Sequence, residues 1–333
     1  MKITLLFTFS LLTICSKAQV NTYTFQRETG QPWELIQYPN AVITNHTITD
    51  DVVLPAKIKI PFPFTFNGQL QDSLGISENG FVWFGPTPAF EMNAFVYPIS
   101  DDMSNSVNGI VSAFGGDLHP TTATQLNSGI VGEGQMQMLI VEWKNTSRLE
   151  TIRANTAPDT ISFQIKLYQF MNRVEIGYIH SGLNYDYTTG VQVGLRGANA
   201  VDFNSRSTEN IGTNWKNTTK AESKFATCEV SPTHYPEYGD LFVWLPSPST
   251  GLRENSKAEI TIYPNPATDY ISIKLPNDEQ TLLRLLDVTG KVLMQQVIKE
   301  DSQINMQSVE RGVYFIQLEK SDRTTLTQKI VLN

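Results

Sequence analysis

DTISFQIKLYQF occupies residues 159–170, and its alternation decides the fold class. Ile161, Phe163, Ile165 and Leu167 lie on one side of an extended chain, and Ser162, Gln164 and Lys166 on the other, because strand side chains alternate with a period of two. Met171-Asn172-Arg173 turns the chain, and Val174, Ile176 and Tyr178 return. This predicts an antiparallel hairpin with an apolar face inward and a polar face toward water. The same period recurs outward along the chain. Ala56-Lys57-Ile58-Lys59-Ile60 alternates, and Phe62, Phe64 and Phe66 continue it, with Pro61 and Pro63 between them. Proline cannot donate to a ladder, so this stretch belongs at a sheet edge. Asn67-Gly68 and Asn79-Gly80 are hairpin signals. Phe81–Phe84, Met138–Val141 and the set Val191, Val193 and Leu195 add further strands. Helical periodicity is absent after the first residues. The expected fold is all-β: a central jelly-roll-like antiparallel β-sandwich.

Composition narrows the function. The chain has 333 residues and a formal net charge of −8. Nucleic acid is an unsuitable partner, since phosphate binding needs a basic face. The start, MKITLLFTFSLLTICSKAQ, pairs Lys2 with a short apolar run ending at Ile14, followed by Ser16-Lys17-Ala18. That is the pattern of a secretory signal peptide over 1–18, cut before Gln19. A lipid anchor on Cys15 is the rival reading, disfavoured by the bulk of Ile14. No later apolar stretch reaches transmembrane length. After cleavage only Cys228 remains, so packing rather than a disulfide holds the cargo together.

The chain changes character near residue 246. PSPSTGLRENSKAE is rich in proline, serine and charge, the composition of a linker, assigned to 247–258. It separates a cargo domain at 19–246 from a unit at 259–333, with few contacts expected between them. Strand patterns resume in the second unit at Ile271–Leu275, Leu282–Val288, Lys291–Leu293, Val313–Leu318 and Gln328–Leu332. They predict a second, small sandwich of immunoglobulin-like size. Gly290 and Gly312 read as turn residues with positive φ, and Pro264 and Pro266 as fixing a bend.

YPNPATDYISI, LLDVTGKVL, RGVYFIQL and QKIVLN follow one another in this tail. Together they resemble the type A C-terminal sorting domain of the type IX secretion system of Bacteroidetes-type bacteria. The resemblance implies export through the periplasm and a partner in the secretion machinery. It also implies a location that is secreted or attached to the outer cell surface. It marks Pro264, Asn265, Pro266, Gly290, Lys291, Gly312, Tyr314 and Lys329 as the sorting signal. In the central region, IPFPFTFNGQLQDSLGISENGFVWFG and FQIKLYQFMNRVEIGYIHSG are similar to surface β-sandwich modules with distant nidogen-like similarity. Asp72-Ser73-Leu74 and Asp159-Thr160-Ile161 match the O-glycosylation triplet of the same bacteria, which marks Ser73 and Thr160.

No catalytic motif stands out. The four histidines, His46, His119, His180 and His234, form no HExxH or Cys/His metal spacing. There is no GxSxG elbow and no phosphate loop. No cofactor is expected, and no metal site is assigned. Asp101-Asp102 with Asp117 and His119 could gather around Ca²⁺, but turn-capping is the simpler role for such acids. Aromatic residues in polar, loop-like surroundings are the better candidates: Tyr185, Tyr187 and Trp215 first, then Tyr235 and Tyr238. The expected function is a non-catalytic binding or adhesion module for a glycan or protein ligand. A secreted hydrolase with a loop-built site and a structural cell-surface component are the alternatives.

Overall fold

The computed structural model describes residues 19–36, 57–87, 96–101, 107–209, 214–246, 260–275, 280–287, 292–320 and 325–333. Among these described residues, fifteen strands build the cargo region. They begin with β1 (Thr24–Glu28), β2 (Ile58–Phe66), β3 (Gln69–Ser77), β4 (Phe81–Phe84) and β5 (Gly109–Gly115). Next come β6 (Leu118–His119), β7 (Gln125–Val131), β8 (Met138–Arg148), β9 (Thr160–Tyr168) and β10 (Val174–Gly182). The last are β11 (Thr189–Arg196), β12 (Phe203–Ser207), β13 (Thr219–Lys220), β14 (Cys228–Val230) and β15 (Leu241–Leu245). One short helix, α1 (Leu149–Arg153), follows β8. The strands form two antiparallel sheets. One runs β1-β15-β10-β9-β8-β6, with β7 also on β8; the other runs β13-β12-β11-β5-β4-β3-β2, with β14 on β11.

The two sheets bury one shared core. Phe64, Phe84, Val111 and Val193 from one meet Trp143, Phe163, Ile165, Ile176 and Phe242 from the other. Phe114 and Phe163 stack between them, with ring centroids 5.8 Å apart. The β9–β10 hairpin has the register expected from its alternation, with Ile165 opposite Ile176. Asn67 and Gly68 both have positive φ, as a two-residue hairpin loop requires. β2, with its two prolines, is an edge strand.

One expectation fails in an informative way. Ser162, Gln164 and Lys166 do not face water: Gln164 is 0% and Lys166 3% exposed. Residues 31–36 lie across this outer face, where the Gln164 side-chain amide donates to the Glu34 carbonyl at 2.8 Å. Gln164 also donates to Glu142, which accepts from Asn127 as well. Burial lowers the Lys166 pKa, opposed by the charges of Glu175 and Glu34. Polar groups can be buried here because neighbouring strands and the overlying segment supply partners.

The tail forms two further sheets. β16 (Thr261–Tyr263), β17 (Tyr270–Lys274), β18 (Thr281–Leu286), β19 (Val292–Ile298), β20 (Ser302–Asn305), β21 (Gly312–Glu319) and β22 (Thr325–Leu332) pair as β16-β17-β20 and β19-β18-β21-β22. Ile271, Ile273, Leu283, Met306, Ile316 and Ile330 fill the space between them. Pro264 and Pro266 are exposed and flank Asn265. The Asn265 side chain donates to the Lys329 carbonyl at 2.8 Å and accepts from the Val331 amide at 3.0 Å. One side chain thus copies the donor–acceptor pair of a neighbouring strand. Ala267 extends the seam, pairing with Val331 and Asn333 through its amide and carbonyl. Tyr314 is buried and donates its hydroxyl to the Glu310 carbonyl at 2.8 Å. Gly312 is not a turn residue: it opens β21 opposite Leu332. The Lys329 side chain is exposed, and Gly290 and Lys291 lie outside the described residues. Replacing Asn265 with alanine removes both bonds to β22 and should destabilise the tail by about 1 kcal/mol. The check is amide exchange, several-fold faster at Ile330–Leu332 and unchanged in β9 and β10.

Candidate functional site at the tyrosine-bearing end

β8 is irregular between Trp143 and Thr146. Asn145 adopts φ 56° there. Beyond this irregularity Ser147 and Arg148 pair with β6 instead of β7. The shift delivers Arg148 to the end of the sandwich, where α1 begins and the Leu149 amide donates to the Asp117 carbonyl at 3.0 Å. Arg148 and Asp159 form an ion pair at 2.7 Å, with side chains 1% and 0% exposed. The Asp159 carboxylate also accepts from the Thr151 hydroxyl and the Asn184 amide, each at 2.7 Å. The guanidinium in turn donates to the Tyr187 carbonyl at 2.6 Å and the Tyr185 carbonyl at 2.9 Å.

This network orients the loop before β11. Two carbonyls, Tyr185 and Tyr187, are turned inward, and the Tyr187 amide closes back on the Tyr185 carbonyl at 2.8 Å. The two rings stack 5.9 Å apart with their planes 10° off parallel. Tyr187 is 44% exposed. Tyr97 lies close by and is 38% exposed. Partial burial raises its pKa, reinforced by the charges of Glu150, Asp117 and Tyr187. Three tyrosines and two carboxylates therefore share one end of the sandwich. Such a set can lay flat rings against sugar C–H faces and offer carboxylate and phenol oxygens to hydroxyls. Protonated at neutral pH, Tyr97 is a hydrogen-bond donor there.

Other sequence candidates separate from this cluster. Trp215 is core, not contact surface: it is 1% exposed, its ring packs on Tyr178 and Phe242, and its indole donates to the Glu229 carbonyl at 2.7 Å. A one-turn 3-10 helix, Trp215–Asn217, tucks the ring under the sheet end. Tyr235 and Tyr238 are exposed. Tyr235 lines a cleft of about 320 Å³ with Asn214, His234 and Glu237. His234 Nδ1 lies 3.5 Å from Glu229. Among the described residues no group of three or more His, Cys, Asp and Glu side chains could hold a metal ion. The Asp101–Asp117–His119 reading has no such ligand set, and Asp102 and His46 lie outside the described residues. Ser73 is half-buried in β3 and donates to Asp72 at 2.7 Å. Thr160 is half-buried too, but the Asp159 beside it is committed to Arg148. Cys228 is fully buried, which raises its pKa and leaves it a packing residue.

The strongest site residues missed from sequence are Arg148, Asp159 and Tyr97. Asp159 directly follows Pro158 at a strand entry, but its partner is identified only by the β8 irregularity. Asp159→Ala leaves the Arg148 charge buried without its partner. The expected loss is about 3–5 kcal/mol of stability in denaturant unfolding of the whole chain. Trp215→Ala should cost a similar 3–5 kcal/mol, as removal of a large core ring does.

Comparison with known proteins places the chain. Residues 261–333 match the family of secretion system C-terminal sorting domains, as the tail motifs implied. An ulvan lyase of Nonlabens ulvanivorans is 26% identical over 104 residues, which are 30% of this chain and 20% of that protein. The chain thus spans about a fifth of that relative's length. A solved polysaccharide lyase covers 84% of this chain and 46% of its own, at 6% identity and a TM-score of 0.17, too low to bear on the fold. The ulvan lyase is an enzyme by its name, and the expectation that this chain is not an enzyme is overturned by that similarity. The absence of a nucleophile elbow or a metal motif does not exclude catalysis, because placed acid and base groups carry no linear motif. No helix among the described residues is long and apolar enough to cross a membrane. The NIDO-related family model matches residues 22–246, more than half of the chain, and the chain belongs to that family.

Proposed function

We propose that the chain is an exported protein whose cargo region engages polysaccharide at the tyrosine-bearing end of the sandwich. The observation that carries this reading is the stacked Tyr185–Tyr187 pair, held by the buried Arg148–Asp159 pair beside Tyr97, Asp117 and Glu150. Near-parallel rings, one of them 44% exposed, suit sugar rings, and the adjoining oxygens suit their hydroxyls. The lyase among the relatives acts on ulvan by its name, which supports the ligand class. The two carboxylates, with a net charge of −8 on the whole chain, favour neutral segments of a polymer over densely anionic ones. In this reading Tyr97 supplies a phenol hydroxyl and Glu150 carboxylate oxygens to the hydroxyls of bound sugar. The sorting domain supports export by the type IX system, with its machinery as partner.

Two measurements test this. A panel of neutral and anionic polysaccharides, ulvan included, is offered to the full chain, with binding and release of unsaturated product both followed. Tyr187→Ala should weaken binding about tenfold, the lower range for an interface aromatic, with the melting temperature unchanged. Wild-type protein that neither binds nor degrades any member, or a variant that binds as well, defeats the reading. For export, deletion of residues 261–333 should leave the protein in the periplasm of its host, and delivery of the truncated chain to the medium or surface would count against a sorting role.

A further inference from the structure

β15 reads Leu241-Phe242-Val243-Trp244-Leu245 and is buried along its whole length. Phe242 and Trp244 enter the cargo core. Leu241, Val243 and Leu245 face the other way, out of the sandwich, where a strand with one wet face would carry polar residues. They are buried with Phe170 and Met171, from the β9–β10 turn, and with Leu282 of the tail; Met136 and Val297 pack against this cluster.

The tail side is equally specific. Thr281-Leu282-Leu283 breaks the alternation of β18. Leu283 faces the tail core, and Leu282 faces out, 2% exposed. Val297 and Glu319 are its cross-strand partners on β19 and β21, so Val297, Leu282 and Glu319 form one row across the sheet. Glu319 itself pairs with Arg284 of the same sheet at 2.9 Å. Met171 and Asn172 adopt φ 60° and 52°. Left-handed backbone is uncommon for methionine, and here it places the side chain against the tail.

We infer that the outer face of β15 and the β9–β10 turn form a docking surface, and that its occupant in the full-length chain is the sorting domain. Two complementary apolar rows, each unexplained by its own sandwich, meet there. The expectation of few contacts across the linker does not hold at this surface. Separation of cargo and tail uncovers Phe170, Met171, Val243 and Leu245 together. The sorting domain is therefore also a cover for the cargo until the two part.

Methionine oxidation by dilute peroxide reads this contact in the intact protein. Met171 lies in the contact, and Met306 lies in the tail core as a control of tail folding. In the double variant Leu282→Asp, Val297→Asp, Met171 should oxidise several-fold faster than in wild type while Met306 stays protected. Met171 oxidised at the wild-type rate with Met306 protected overturns the inference. Should Met306 become reactive, the tail of that variant has unfolded, and the single change Leu282→Ala decides. Faster Met171 oxidation in it supports docking, and an unchanged rate refutes it.

Discussion

A fully buried ion pair is the constraint on which the candidate site depends. Arg148 ends β8 and Asp159, eleven positions on, directly precedes β9, and both side chains are shut off from water. Taking both charges out of water is costly, and their attraction offsets the cost only when the remaining donors and acceptors are also satisfied. Here they are: Thr151 and Asn184 complete the carboxylate, and the carbonyls of Tyr185 and Tyr187 complete the guanidinium. Satisfying the pair and shaping the loop are therefore the same event. The carbonyls must turn inward to reach Arg148, and the rings are left to stack outward.

That coupling also explains why the site sits where the two sheets are least regular. The β8 irregularity moves its last residues from β7 to β6. Asp117 precedes β6, and Glu150 lies in the helix that follows β8. A regular β8 would keep Arg148 in register with β7 and hold Asp117, Glu150 and the tyrosine loop apart. Irregularities of this kind re-aim side chains at sheet ends, and this one gathers groups from four segments onto one surface.

The sequence shows the parts of this protein governed by local physics. Alternation at Ile161–Leu167, the Asn67-Gly68 turn and the prolines of β2 were legible because each is decided by backbone geometry within a few residues. The exposure of Tyr187 was legible because polar loops tend to leave such rings in water, whereas its neighbour Tyr185 is half-buried. Trp215 has the same polar neighbours and yet is core, since a single helical turn folds it under the sheet, a fact set by tertiary packing. The buried outer face of Gln164 and Lys166 was invisible for the same reason: what covers it comes from residues 31–36, far away in the chain. Arg148 and Asp159 each look like ordinary surface charges until β8 and β9 are paired. Two signals were present and unused. The unbroken apolar run of β15 and the doubled leucine of β18 are the marks of strands covered on both faces.

The tail clarifies what a sorting motif is made of. Pro264, Asn265 and Pro266 stand near the start of the domain and Lys329 near its end, a separation that makes little sense for a linear signal. In the fold they are adjacent: Asn265 bonds to the backbone on both sides of Ile330, and Ala267 continues the seam to Asn333. The flanking prolines lack N–H groups, so neither can compete for the strand that Asn265 engages. The motif residues thus fasten the first turn of the domain to its last strand. Their contribution to the fold is to close the sandwich, a role of backbone hydrogen bonding that needs no contact outside the domain.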